Sequence, residues 1–322
     1  MAMDLLGKAG MTNSMKQLYA RALLERAKPN FVHMGHGRKD GIPRNGGRSI
    51  EWRRYERPSA ATTALTEGTP PAETQLTVSN VQATVNQYGA FTRHSEALSL
   101  QNFDPYIGSV TEMYAEHLSD TLDIVTRNVL IAGTTVQIAS TVASRGAVGG
   151  TTAHRITFAE VRESLATLES NDAKPVVDNK FIGIIHPYTK HDLFGDSDII
   201  NSFQNAYTRG PDNPLASGEI GDFYGIRWLI TSNARVFGSQ GASGGDVYAT
   251  LIMGRGYYGE VDYEAGELGQ RVIVKAIGSA GGMDPLDQMG TAGWKAALAV
   301  ARLNENFAVR IEHTASLGDE GV

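Results

Sequence analysis

Residues 48–95 constrain this chain more than any other segment. The outgoing run RSIEWRRYE places Ile50 and Trp52 on one face, and the returning run carries Leu76, Val78, Val81, Ala83 and Val85. Between them lies PSAATTALTEGTPPAET, rich in Pro, Thr and Ala. Two-residue alternation on either side of such a tip predicts a long two-stranded ribbon. The apolar phase slips by one at Ser79–Asn80, which predicts a bulge. A ribbon of this length has no second layer of its own, and an isolated hairpin is marginal in water. It must therefore lie on something else, and a neighbouring copy is the simplest candidate. Trp52, Arg53, Arg54, Tyr55 and Arg57 form the most interface-like cluster in the chain. Aromatic residues and arginine are enriched at interface hot spots, and arginine pairs bidentately with carboxylates. The competing reading has Trp52 packed within its own subunit.

The flanking segments frame this ribbon. Residues 9–28 predict an amphipathic helix with Met15, Leu18, Ala22 and Leu23 on one side, ended by Pro29. FVHMGHGRKDGIPRNGGR follows, and its five glycines and Pro43 predict an extended connector. The strongest helical signal spans 105–132. Asp104 suits its cap and Pro105 its first position. Apolar residues recur at Ile107, Val110, Tyr114, Leu118, Leu122, Val125 and Val129, and Gly133 ends the run. Glu112, Glu116, Asp120 and Asp123 fall mostly away from that stripe and read as a solvated face. Residues 140–155 predict a flexible loop or weak hairpin. A second lobe opens with a capping box at Thr157 and Glu160, then the short buried strand FIGIIHP (181–187), with Pro187 opening a helix. GIRWLITS, VYATLIMG and QRVIVKAIG predict further strands. Phe307, Val309, Ile311 and His313 alternate as a half-buried strand, and SLGDEGV reads as a frayed end.

Composition narrows the function. The 322 residues include no cysteine, which removes disulfides, thiolate metal sites and cysteine nucleophiles. No apolar run approaches the roughly 18 residues that span a bilayer, and the start lacks a secretory pattern. A cytoplasmic site of synthesis fits. Residues 1–58 hold 12 Lys/Arg against 5 Asp/Glu, while the remainder holds 17 against 30. A basic arm on an acidic body suits docking of one copy on another. A solvated basic tail and a nucleic-acid-binding arm are the alternatives.

Motifs for chemistry are weak. GRGYYG (254–259) matches the dinucleotide pattern G-x-G-x-x-G and follows a predicted strand, so a nucleotide-binding enzyme is one reading. The pattern requires a helix next, whereas EVDYEAGELG has no helical period and carries Glu260, Asp262, Glu264 and Glu267. That carboxylate run reads as a solvated loop, with cation binding as its alternative. His33 with His36, and His186 with His191, lack zinc-site spacing, and His186 suits a turn-capping role. We therefore expect no catalytic residues, no cofactor and no metal.

The stretches LTEGTPPAETQLTVSNVQATVNQYGAFTRHSE, FIGIIHPYTKHDLFGD and GEIGDFYGIRWLITSNA resemble major capsid proteins of tailed bacteriophages, of the Hong Kong 97 type and the N-four-like group. The resemblance covers roughly residues 45–313. It implies an α+β capsid fold with an N-terminal arm (1–45), an extended β-hairpin loop (46–99), a peripheral domain with a spine helix (100–155), an axial domain (156–285), and peripheral return strands with the C-terminus (286–322). It further implies a virion shell of hexamers and pentamers around double-stranded DNA, contacted nonspecifically. A portal protein and a decoration protein are implied partners. An encapsulin-like compartment is the rival within the fold. Some members cross-link through a lysine on the extended loop, but residues 46–99 contain none, so noncovalent locking is expected. Others carry a long cleaved N-terminal scaffolding region. This arm is short for that, which implies a separate scaffolding protein and no processing.

Overall fold

The computed structural model describes residues 31–43, 46–56, 58–65, 67–68, 73–96, 106–139, 142–196, 222–263, 271–278, 286 and 288–317. The helix expected over 9–28, the caps Asp104 and Pro105, Arg57, Glu264, Glu267 and most of the C-terminal tail lie outside those residues. In chain order the described elements are strands β1 (Arg38–Ile42), β2 (Ser49–Tyr55), β3 (Val78–Thr84) and β4 (Asn86–Ser95), helix α1 (Tyr106–Ile131), strand β5 (Val136–Ile138), helix α2 (Phe158–Ser170), strand β6 (Phe181–Ile185), helix α3 (Pro187–Gly195), and strands β7 (Asp222–Phe223), β8 (Ile226–Ile230), β9 (Val236–Phe237), β10 (Val247–Met253), β11 (Tyr258–Tyr263), β12 (Arg271–Lys275), β13 (Met289–Arg302) and β14 (Ala308–His313).

They make two sheets and a ribbon. The five-stranded sheet is built on β13, which has β4 along one side and β12 then β11 along the other; β1 runs parallel to β11 at the edge. The seven-stranded sheet runs β5-β14-β10-β6-β8-β7, with β9 also on β10. The ribbon is β2 with β3.

Helix α1 lies on the five-stranded sheet. Its Ala115, Leu118 and Leu122 pack against Trp294, Ala296 and Leu298 of β13. The next-door residues of β13, Ala297 and Ala299, pack on the other face with Ile42 and Val261. The alanine-rich run of β13 suits a helix by propensity, yet burial on both faces makes it a central strand. In the second sheet, α2 packs Val161, Leu165 and Leu168 with Val309 and Ile311 of β14. The expected capping box is present, with Thr157 Oγ1 accepting from the Glu160 amide and Glu160 accepting from the Thr157 amide. At α3, His186 caps by accepting the Tyr188 amide, and burial lowers its pKa.

Several expectations change. The ribbon has no bulge at Ser79–Asn80: pairing runs unbroken from Ser49↔Thr84 to Tyr55↔Val78. The phase slip arises because Val78 and Leu76 stay exposed instead of facing inward with Val81 and Ala83. The ribbon is also shorter, because the return strand passes through Val85 into β4 and joins the sheet. The glycine-rich connector contains β1. Gly37 lets it approach closely, since a Cβ there would stand 2.6 Å from the Tyr258 ring. Strand β14 is buried on both faces: Val309 and Ile311 pack in the cluster with α2, and Ala308 packs in the second cluster of the sheet. Residues 142–155 hold two short 3-10 turns, at Arg145–Ala147 and Thr152–His154.

The division expected at residue 286 does not follow the sheets. Strands β11 and β12, from 156–285, pair with β13, whereas β14, from 286–322, joins β10. Both sheets are threaded through one double crossing: 254–257 carries β10 into β11, and 303–307 carries β13 into β14. The two crossings bond to each other, Gly254 N donating to Phe307 O at 2.8 Å and Leu303 N to Tyr257 O at 2.7 Å.

Asp123 also departs from expectation. It is fully buried rather than solvated. Its Oδ1 accepts from the amides of Val32 and His33 at 3.0 and 2.7 Å, and its Oδ2 lies 2.8 Å from His33 Nδ1. Burial alone would raise its pKa, but the bonds from His33 and the two amides hold it below the usual carboxylate value. The pair fastens the connector to α1. Asp123→Ala leaves the buried His33 and two amides without their acceptor, which costs about 3–5 kcal/mol by analogy with other broken buried pairs. Denaturant unfolding of the unassembled subunit checks this, and Asp123→Asn, which keeps an acceptor, is expected to lose less.

A second expectation concerns acid. His313 is completely buried, its Nε2 2.9 Å from Thr250 Oγ1 and its Nδ1 2.8 Å from the Thr314 carbonyl. Burial lowers its pKa from 6.5 to about 4. Between those values the unfolded chain binds the proton that the folded subunit refuses, so stability falls as pH drops through that window, by roughly 3 kcal/mol for this group once below it. Unfolding midpoints measured across pH 7 to 4 are expected to fall less steeply in His313→Gln, which keeps a donor and an acceptor without titrating.

Candidate assembly interface

The two faces of β2 have different fates. Ile50 and Trp52 point inward with their cross-strand partners Ala83 and Val81. Trp52 is 8% exposed. It packs with Ile42, Val85, Val261 and Ala299, and its Nε1 donates to Asp40 Oδ2 at 2.6 Å. Its ring covers Gly259, where a Cβ would come within 2.8 Å. Trp52 therefore anchors the base of the ribbon on its own sheet, as the competing reading supposed.

The remaining described members, Arg53, Arg54 and Tyr55, face solvent. Arg53 Nε bonds Glu51 at 3.1 Å, and Arg54 bonds Glu56 at 2.6 Å. The Arg54 guanidinium and the Ser79 hydroxyl hold the Glu56 carboxyl below its usual pKa. Exposed pairs of this kind contribute little to stability, so they remain available for exchange with another partner. Tyr55 is 70% exposed. Every described residue from Pro58 to Val78 is exposed, including Leu65 and Leu76. The cluster is thus one anchor plus an exposed edge, and the apolar residues nearer the tip extend that edge.

A second open surface lies on the face of β4, β13 and β12 opposite α1. Phe91 of β4 is 63% exposed and sits against Gly293 of β13, where a Cβ would be 2.6 Å from its own Cβ. Arg93 stands 5.7 Å from the Phe91 ring centroid. Ile273, Lys275, Met289 and Lys295 complete a shallow cleft of about 830 Å³. No carboxylate pairs with Arg93, Lys275 or Lys295 among the described residues. Sequence reasoning missed Phe91 because β4 was assigned to the ribbon. Gly89 and Gly293, glycines inside strands that permit close backbone approach, were the available signal.

The motifs weighed for chemistry become structural. GRGYYG turns from β10 into β11, a strand, so no helix N-terminus stands ready for a pyrophosphate. Tyr257 and Tyr258 are buried, donating to the carbonyls of Leu130 and His33. Glu260, expected in a solvated loop, is 5% exposed and accepts the Gly35 amide at 2.6 Å. Among the described residues no three His, Asp or Glu side chains converge as a metal site.

No protein-family model matches the chain, and no curated protein matches it in sequence. Solved structures do match. The capsid of cyanophage P-SCSP1u superposes with a TM-score of 0.66 at 13% identity, over 88% of each chain. The capsid asymmetric unit of cyanophage Pam1 gives 0.65 at 18% identity, covering 90% of this chain and 92% of that one. The capsid of Ralstonia phage GP4 gives 0.64 at 11% identity, over 88% of each.

The chain has the fold of a phage capsid protein.

Within that fold the described residues of 58–78 lie exposed beyond β2 and β3, and α1 packs on the sheet built on β13. The two faces of β2 then predict opposite mutant behaviour. Trp52→Ala removes a buried anchor and is expected to destabilise the subunit by about 3–5 kcal/mol. Tyr55→Ala is expected to leave the subunit unfolding midpoint unchanged within about 0.5 kcal/mol. Chemical denaturation of the two variants side by side measures both.

Proposed function

We propose that this chain is the major capsid protein of a tailed phage, closing into an icosahedral shell of hexamers and pentamers around double-stranded DNA. The observation that carries the proposal is the ribbon: anchored at Trp52, it holds every described residue from Pro58 to Val78 in solvent. A hairpin with nothing of its own subunit beneath it needs an external surface to hold one conformation. The open face around Phe91 is a second surface of the same kind. The three similar structures described above, each a phage capsid, support the same reading.

The mechanism is energetic and involves no catalytic turnover. Each apolar square ångström that a neighbour covers contributes about 25 cal/mol. Individually modest contacts, repeated around every subunit, make a closed shell hard to dissolve. Arg53, Arg54, Tyr55 and Arg57 would meet a neighbouring copy, whose acidic body complements them. In this reading 46–99 is the overlapping loop, a separate scaffolding protein guides closure, and portal and decoration proteins attach to the finished virion.

Negative-stain electron microscopy of the expressed chain, alone and with the candidate scaffolding protein, tests the proposal. Closed shells, or sheets and tubes of hexameric units, are expected. A persistently monodisperse monomer or dimer under both conditions would overturn it. Leu76→Asp and Phe91→Glu are expected to abolish or sharply reduce these assemblies while leaving subunit unfolding midpoints unchanged.

A further inference from the structure

Four arginines converge where α1 ends against the seven-stranded sheet. The Phe237 ring is their common platform: the guanidinium carbon of Arg145 lies 3.6 Å from its centroid, that of Arg235 5.1 Å and that of Arg310 5.8 Å. Arg127, on the last turns of α1, adds a fourth charge close enough to Arg235 for mutual repulsion. Gathering like charges is unfavourable unless something of opposite sign offsets them.

Among the described residues, one carboxylate is in direct contact with these arginines. Glu312 is 1% exposed and takes a two-point contact from Arg145, Nε to Oε2 at 2.9 Å and Nη2 to Oε1. Arg310 Nε also stands 2.8 Å from Glu312 Oε1, but off the N–H direction, so this buried donor makes no hydrogen bond. The Nη1 of Arg310 bonds the Ile131 and Gly133 carbonyls at the end of α1. Arg127 donates to the Asn233 carbonyl at 2.8 Å and to the Asn128 amide oxygen, both neutral. Arg235 has no carboxylate partner among the described residues. Burial and these neighbouring cations hold Arg127 and Arg310 below the usual arginine pKa.

Three of the four arginines, Arg145, Arg235 and Arg310, line an open cleft of about 500 Å³ together with Asn128, Ala132 and Phe237. Planar guanidinium forks match tetrahedral oxyanions, and phosphate is the anion they bind best at several points at once. We propose that this cleft is a phosphate-binding site, with Arg235 as the charge left for the ligand, Arg127 adding positive charge beside it, and Arg145 and Arg310, braced by Glu312 and Phe237, as its floor. The proposal is independent of the shell reading, because it concerns the unassembled subunit. Free phosphate and the phosphodiester backbone of a nucleic acid share this chemistry.

Titration calorimetry of the full-length soluble subunit with inorganic phosphate, pyrophosphate and a short oligothymidylate tests the site at low ionic strength. Saturable binding of at least one probe is expected, weakened about tenfold or more by Arg235→Gln and by Arg127→Gln. Arg235→Gln removes no ion pair with a carboxylate, so its unfolding midpoint without ligand should match the parent; Arg127→Gln also gives up the bond to the Asn233 carbonyl and is read for binding alone. Phosphate or pyrophosphate should raise the parent midpoint and leave that of Arg235→Gln in place. Pyrophosphate binding as tightly as the oligonucleotide identifies a free-anion site. Oligonucleotide binding tenfold tighter than either small anion, and lost in both variants, identifies a backbone site; each supports the proposal. Absence of saturable binding by all three probes, or binding that both variants retain, overturns it.

Discussion

Two buried tyrosines hold this subunit together at the point where its sheets exchange strands. The backbone crosses between sheets twice, at 254–257 and 303–307, and the crossings bond to each other. Tyr257 and Tyr258 fill the junction, each 1% exposed. An unpaired phenol at such depth would be costly, so each hydroxyl has a fixed recipient: Leu130 O at the end of α1, and His33 O in the connector. The helix, the connector and both sheets are therefore positioned by one dipeptide. Burial raises the pKa of both phenols, which keeps them neutral donors.

From that junction the connector is clamped twice more, by the Asp123 pair with His33 and by the Gly35 amide on Glu260. Both carboxylates accept backbone amides from the same short stretch. This fixes where β1 begins, and β1 in turn carries Ile42 and Asp40, which form the seat for Trp52. The ribbon leaves the subunit at a direction set by this chain of contacts. Its base is rigid because its anchor is buried; its outer half meets only solvent. A body with a closed apolar core, joined to an arm that does not cover its own apolar residues, is the physical form of a protein that completes itself by assembly.

Much of this was legible in the sequence wherever a local period carries the information. The 3.6-residue stripe of α1, the capping box at Thr157, the His186–Pro187 helix start and the apolar runs of β6, β8 and β10 each depend on residues within a few positions of one another, and all are found where the spacing put them. The exposed ribbon was legible for the same reason, together with the resemblance of its flanking stretches to capsid proteins. The split within the cluster at Trp52 was not: alternation separates the faces of a strand but does not say which face finds a partner.

What the sequence determined by itself, then, is the set of elements and the presence of one hairpin that no internal layer could cover. Tertiary structure decided the rest. Asp123 reads as solvated until His33, ninety residues away, is brought against it. No local period records the central place of β13, whose two faces are covered by α1 and by the Trp52 cluster. Strand β14 belongs with β10 rather than β13 because the chain crosses between sheets at Asn304. The reason is common to all three: the burial of a polar group, and the sheet a strand joins, depend on long-range partners, and no local spacing records them.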